Sequence, residues 1–265
     1  MGISTARLAT ILLLAFGSQA TSAMRVSPMI VEMVTAGSNS TSRIEVQNIN
    51  AVIMPFEARV MRIDFDSSGK IVETPADADF LVFPPQGALP AGGRQVVRLQ
   101  WVGGNLASSR GYHLSINQIP VELDLHGTHE HDAGAQVQIV YHIKVLTTVA
   151  PPGAKANIVV VSAVPAIVAS RPVPGDPVGG TRPGEPGISV TVSNSGRRYA
   201  LMAGSTWTID GTGIDDKPLH LVISQDDLSH ILGAGYVPAI DGRRTFEIPT
   251  GAAFSAKPIK IRFSD

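Results

Sequence analysis

Between positions 134 and 149 the chain reads Gly-Ala-Gln-Val-Gln-Ile-Val-Tyr-His-Ile-Lys-Val-Leu-Thr-Thr-Val, and Ala150-Pro151-Pro152-Gly153 follows. A period of two puts Ala135, Val137, Ile139, Tyr141, Ile143 and Val145 on one face, and Gln136, Gln138, Val140, His142 and Lys144 on the other. β-Branched and aromatic residues suit a pleated surface, and no proline interrupts the run. The spacing predicts one strand over 134–149, well beyond the usual length of about five or six residues. Pro-Pro-Gly cannot continue a ladder, so the strand should end at a hinge between two parts of the chain.

Shorter alternating runs fill the rest. Before the long strand they lie at 25–34, 42–48, 53–65, 80–83, 94–101 and 111–119, parted by turn sequences such as 36–40, 84–85 and 89–93. Ile44, Val46, Val97, Leu99, Trp101, Tyr112, Leu114 and Ile116 are expected to face inward, while Phe56, Ala58, Val60, Ile63 and Phe65 alternate less cleanly along 53–65. The polar, turn-rich stretch 66–79 has a hairpin tip at 67–70, and Asp64, Asp66, Asp77 and Asp79 in and around it read as solvated surface. After the hinge, strands are expected at 156–169, 188–192, 199–202, 205–209, 219–224, 244–248 and 258–263. Residues 170–187, dense in proline and glycine, read as an irregular loop, and 226–232 is the one place for a helical turn. Short strands at a spacing of about ten residues predict an all-β protein of two immunoglobulin-like β-sandwich domains, 24–150 and 151–265.

At 265 residues, 44% of them hydrophobic and 16% charged, the chain can fill two cores. A formal net charge of −1 argues against nucleic acid as a partner. With no cysteine, disulfides, thiolate metal sites and a cysteine nucleophile are excluded. Residues 1–23 hold Arg7, an apolar run over 8–16 and small residues at 21–23. That is the pattern of a cleaved export signal, too short to anchor in a membrane. No other stretch has the length of a transmembrane helix, so no membrane insertion is expected.

His126, His129 and His131, with Glu130 and Asp132, are weak candidates for holding zinc, copper or nickel. There is no Gly-x-Ser-x-Gly elbow, no His-Glu-x-x-His and no phosphate-cradling glycine loop ahead of a helix. No enzyme activity is expected, and no cofactor.

Taken together, several motifs resemble the periplasmic pilus chaperones of the chaperone–usher pathway. They are Ser-Pro-x-x-Val-Glu (Ser27 to Glu32), Val46-Gln47-Asn48, and Pro-Pro-x-x-x-Leu-Pro-x-Gly-x-x-Gln-Val-Val-Arg (Pro84 to Arg98). Tyr-x-Leu-x-Ile-x-x-Ile-Pro (Tyr112 to Pro120) and the terminal Ile143-Lys144-Val145 complete the set. The resemblance implies two sandwiches in a boomerang. It also implies a role in capping pilin or fimbrial subunits by lending them a strand, and in delivering them to an outer-membrane usher. On that reading Ala135, Val137 and Ile139 are the lent hydrophobic residues. Tyr141 either continues them or returns to the chaperone's own core. Lys144 falls where the family holds the subunit's terminal carboxylate. The partner arginine's position is occupied by Ile30, a departure that puts this anchor in doubt, and Arg25 should face the other way. Self-capping by a second copy is left open. The alternative is an exported metal-binding immunoglobulin-like protein using the tract from His126 to Asp132, and a third reading is a surface adhesive module.

Overall fold

The computed structural model describes residues 24–66, 70–120, 139–170 and 183–264. The export signal, the histidines His126, His129 and His131, the residues Ala135 and Val137, and most of the loop at 170–187 lie outside this set.

Ten strands precede the hinge: β1 (Met24–Ser27), β2 (Ile30–Val34), β3 (Thr41–Asn48), β4 (Met54–Phe65), β5 (Ile71–Pro75), β6 (Phe80–Phe83), β7 (Gln86–Leu89), β8 (Arg94–Trp101), β9 (Arg110–Gln118) and β10 (His142–Ala150). One sheet runs β1-β3-β8-β6 and the other β2-β10-β9-β4-β5, with β7 also on β4. Between them lies a core built from Val26, Ile44, Phe56, Leu99, Trp101, Tyr112, Leu114 and Val145, among others. Phe80 meets Trp101 and Tyr112 edge-on at 5.1 and 4.9 Å, the geometry that ring quadrupoles favour.

Three expectations change here. The run 25–34 is not one strand. Its first part pairs with β3 and its second part runs parallel to β10, so the chain changes sheets at Ser27-Pro28. Val26 and Val31, out of phase for a single strand, both reach the core because each belongs to a different sheet. The stretch 66–79 carries a strand, β5, beside β4. Its aspartates are acceptors with fixed donors: Asp77 takes the Val60 N–H at 3.2 Å, and Asp79 takes the Tyr112 hydroxyl at 2.9 Å. Finally, the regular ladder of the long strand begins only at His142, opposite Asn117, because β9 ends one residue further on at Gln118.

The second unit comprises β11 (Ile158–Val168), β12 (Glu185–Asn194), β13 (Ala200–Leu201), β14 (Thr206–Thr212), β15 (Pro218–Ile223), α1 (Gln225–Leu232), β16 (Tyr236–Val237), β17 (Gly242–Pro249) and β18 (Lys260–Ser264). Sheets β11-β12-β17 and β15-β14-β18 enclose a second core around Trp207, and β13 pairs with β16. Trp207 is fully buried, between Phe246 and Phe263, and its indole N–H donates to Met202 O at 3.0 Å. The single α-helix among the described residues falls where expected. Ser224 caps it by accepting from Asp227 N, two aspartates occupy its first turn, and Leu228 anchors it in the core.

The same device shapes both units. Asn48 and Asn194 end equivalent strands and are fully buried. Asn48 donates to the carbonyls of Val52, Leu89 and Pro90 and accepts from Asn50 N. Asn194 donates to Arg198 O at 2.7 Å and Pro238 O at 2.9 Å, and accepts from Asn157 N and Gly196 N. Each amide replaces strand pairing for several main-chain groups that would otherwise be buried without partners.

Candidate functional site: a free strand edge beside the cleft between the sandwiches

On β10, Leu146 N donates to Met29 O, while Gln118 N on the other side donates to Tyr141 O. Main-chain groups alternate edges along a strand, so even-numbered residues of β10 point away from β9. From Leu146 to Ala150 that outer edge is taken by β2. From His142 to Val145, among the described residues, it has no strand beside it. His142 and Lys144 therefore present an open N–H and C=O pair each, a template for an added strand.

The side chains follow the same alternation. Ile143 and Tyr141 pack against the first core and Val145 is buried within it, while Ile139, 60% exposed, stands clear of it. Tyr141 is partly buried against the chain's own core. Ile30 and Lys144 share the opposite face, toward the cleft, because Ile30 lies across from Leu146. Ile30 is 40% exposed and offers no charge. The Lys144 ammonium is 2.6 Å from Glu73 on β5, and the other oxygen of that carboxylate meets His113 on β9. Burial pushes the Glu73 carboxyl up, but the hydrogen bonds from Lys144 and His113 outweigh it and hold it below the usual carboxylate range. Lys144 is therefore engaged within the sheet.

Most of the residues that line the cleft carry no local sequence signal. The loop after Asn194 reaches the first unit at two places, the segment Ala107–Ser109 and Glu32. Ser109 N donates to Arg197 O, Tyr199 N donates to the buried Ser109 hydroxyl at 2.7 Å, and Arg197 Nε donates to Ala107 O. Glu32, from the Ser-Pro-x-x-Val-Glu motif, accepts from Arg198 at 3.0 Å and from the Tyr199 hydroxyl. Burial, then the bond to Glu32, pushes the Tyr199 phenol up to about 12, so it stays a donor throughout the neutral range.

A stack then crosses the junction. Arg198 lies over Tyr199 at 5.1 Å, Tyr199 stacks on Tyr236 at 5.9 Å, Tyr236 stacks on Phe65 at 6.2 Å, and Arg244 covers Phe65 at 4.5 Å. Gly111 is required beneath it, since a β-carbon there would come within 2.7 Å of the Tyr236 hydroxyl oxygen. Ile63, out of phase with the core residues of β4, is buried even so. It lines the cleft with Phe65, Pro238 and Arg244 around a cavity of about 620 Å³.

No family model matches this chain, and no curated protein matches it either. Solved structures do. The SafB chaperone, solved in complex with the SafA pilin of Salmonella enterica, superposes with a TM-score of 0.50 at 16% identity, over 91% of this chain and 97% of that one. The class 5 fimbriae chaperone CfaA gives 0.49 at 11% identity, over 92% and 99%. The E. coli chaperone DraB gives 0.47 at 14% identity, over 92% and 96%. At this level of identity the match to SafB establishes the fold: two immunoglobulin-like sandwiches in succession, as the strand pattern predicts.

Proposed function

We propose that this protein is a periplasmic chaperone that binds pilin or fimbrial subunits by adding its own strand to theirs and passes them to an outer-membrane usher. The observation that carries the reading is the open edge of β10 at His142–Val145, which continues in sequence into the alternating run 134–141. Main-chain bonds from that edge would fix the register, and Ala135, Val137 and Ile139 would fill an apolar groove in the subunit. Val137 and Ile139, fully buried, would contribute roughly 1.5–3 kcal/mol each and Ala135 less, which together offset part of the exposure of an incomplete fold. The driving force is burial and the release step is exchange of one strand for another, so the protein acts as a binding protein and not an enzyme. Residues 1–23 would direct it out of the cytoplasm and be removed, and the two sandwiches would divide at Pro151-Pro152-Gly153. An exposed β10 edge also suits transient capping by a second copy of the chain.

The test is co-expression with exported subunit candidates, followed by affinity capture of wild type and of Ile139→Asp. Ile139 stands clear of the protein's own core, so the variant should fold normally. A carboxylate placed in an apolar groove should reduce retention at least tenfold. Equal retention by both proteins would remove the lent strand from the account.

A further inference from the structure

At the end of the first sandwich away from the cleft, between β3 and β4, Asn48 and Asn50 are buried while Ile49, Val52 and Ile53 stand about half exposed. That is the reverse of the usual partition. Hydrogen bonds fix it. Asn50 N donates to Asn48 Oδ1 at 2.8 Å, the Asn48 amide donates to Val52 O at 2.8 Å, and the Asn50 amide lies 3.6 Å from Met54 Sδ. With the amides turned inward, the three aliphatic side chains are held outward. Ile119, 37% exposed, adjoins them, because its N–H donates to Pro55 O at 2.9 Å. No charged residue occurs between Glu45 and Glu57, so the loop carries no charge of its own. The equivalent turn of the second unit gives the comparison. After Asn194 it reads Ser-Gly-Arg-Arg, and it is seated on the first unit at Ser109 and Glu32. The same asparagine turn thus meets a neighbouring sandwich in one unit, and in the other it presents an apolar surface to solvent among the described residues. Apolar patches that a chain holds in water mark interaction surfaces.

We infer that Ile49, Val52, Ile53 and Ile119 form a second contact with the captured subunit, against an uncharged apolar area on the subunit's body. The inference rests on the reading of β10 as the lent strand. The course of that strand identifies the occupant. β10 begins at this same end of the sandwich, where Gln118 N donates to Tyr141 O and Ile119 is the next residue of the chain. A subunit that takes up Ala135, Val137 and Ile139 therefore meets the protein at the end that bears the patch. Pairing along one strand fixes register but leaves the subunit free to swing about it. An apolar contact beside the strand, depleted of charge as the centre of an interface is, fixes its orientation as well.

The test is a competition between two differently tagged full-length chains for a limiting amount of the subunit that wild type retains in the capture experiment above. One chain is wild type and the other carries Ile49→Ser, Val52→Ser and Ile53→Ser together. The triple variant should recover about tenfold less subunit, the effect of three half-exposed aliphatic side chains losing an apolar contact. A variant with Ile49→Val and Ile53→Val keeps the patch apolar and should share the subunit nearly equally with wild type. The complex that the triple variant does form should still protect the His142 and Lys144 amides from exchange, since the β10 edge is untouched. Equal shares for wild type and the triple variant overturn the second contact and leave the lent strand standing, provided Ile139→Asp is still poorly retained. A triple variant that melts several degrees below wild type with no subunit present would show the patch covered by the chain's own residues 121–138. One that turns a wild-type dimer into a monomer would show it facing a second copy, and either result overturns the proposal. If wild type retains no subunit, the second contact and the lent strand fall together.

Discussion

Asn194→Ala is expected to destabilise the protein by about 3 kcal/mol or more and to loosen the cleft before the rest of the molecule melts. The side chain answers four main-chain groups at once, two carbonyls and two N–H groups, in a fully buried position. Each buried group left without a partner costs about 1–3 kcal/mol, less whatever water can recover. Both carbonyls belong to segments that carry cleft residues, Arg198 O beside Tyr199 and Pro238 O in the loop before Arg244. Denaturant titration gives the loss of stability directly. Hydrogen exchange should show Tyr199 N, bound to Ser109 in the wild type, exchanging faster than the strands of either core. Asn48→Ala should cost a similar amount in the first unit and leave the cleft closed, which separates a general packing defect from the local one.

Tyr236→Ala is expected to uncouple the two sandwiches. The ring lies between Tyr199 and Phe65 and rests on the α-carbon of Gly111, so its removal breaks the stack in the middle. Large buried aromatic residues cost about 3–5 kcal/mol on truncation, and stacked pairs add about 0.5–1.5 kcal/mol beyond their area. The ring holds one unit against the other more than it supports either core. Calorimetry should therefore resolve two transitions in the variant and a single one in the wild type. Tyr236→Phe should keep the single transition, because the hydroxyl makes no hydrogen bond to the described residues and the stack depends on the ring.

Particular residues explain how much of this is legible in the sequence. The core of the first unit follows from alternation, since Ile44, Val46, Phe56, Val97, Leu99, Tyr112 and Leu114 keep their phase within single strands. The sheet change at Ser27-Pro28 is hidden because Val26 and Met33 look like parts of one apolar run. Only the identity of each partner strand separates them. β5 escapes a periodic reading because Ile71 and Val72 are exposed and Glu73 is a charged residue in mid-strand. Its role, to hold Lys144, is visible only across β9 and β4. β16 is two residues long, below any periodic signal.

The cleft is the least legible part. Phe65, Arg198, Tyr199, Tyr236 and Arg244 come from three distant parts of the chain, and each taken alone reads as an ordinary strand or turn residue. Ile63 carries a faint signal, an apolar residue out of phase with Val60 in the same strand. That is what a strand shows when one end packs on its own core and the other end packs on a neighbouring unit. The β10 edge is legible as a strand but not as an edge, because alternation cannot tell a central strand from a border one.

Amide hydrogen exchange along β10, with and without a captured subunit, reads out whether the open edge is the one that pairs. In the free protein His142 and Lys144 should exchange quickly, because their N–H groups face the open edge, and Ile143 and Val145 should be protected by β9. On complex formation the account requires His142 and Lys144 to slow by roughly a hundredfold or more, with Ile143 and Val145 little changed. If a stable complex forms and His142 and Lys144 still exchange at their free rates, the subunit is held elsewhere and β10 lends it no strand.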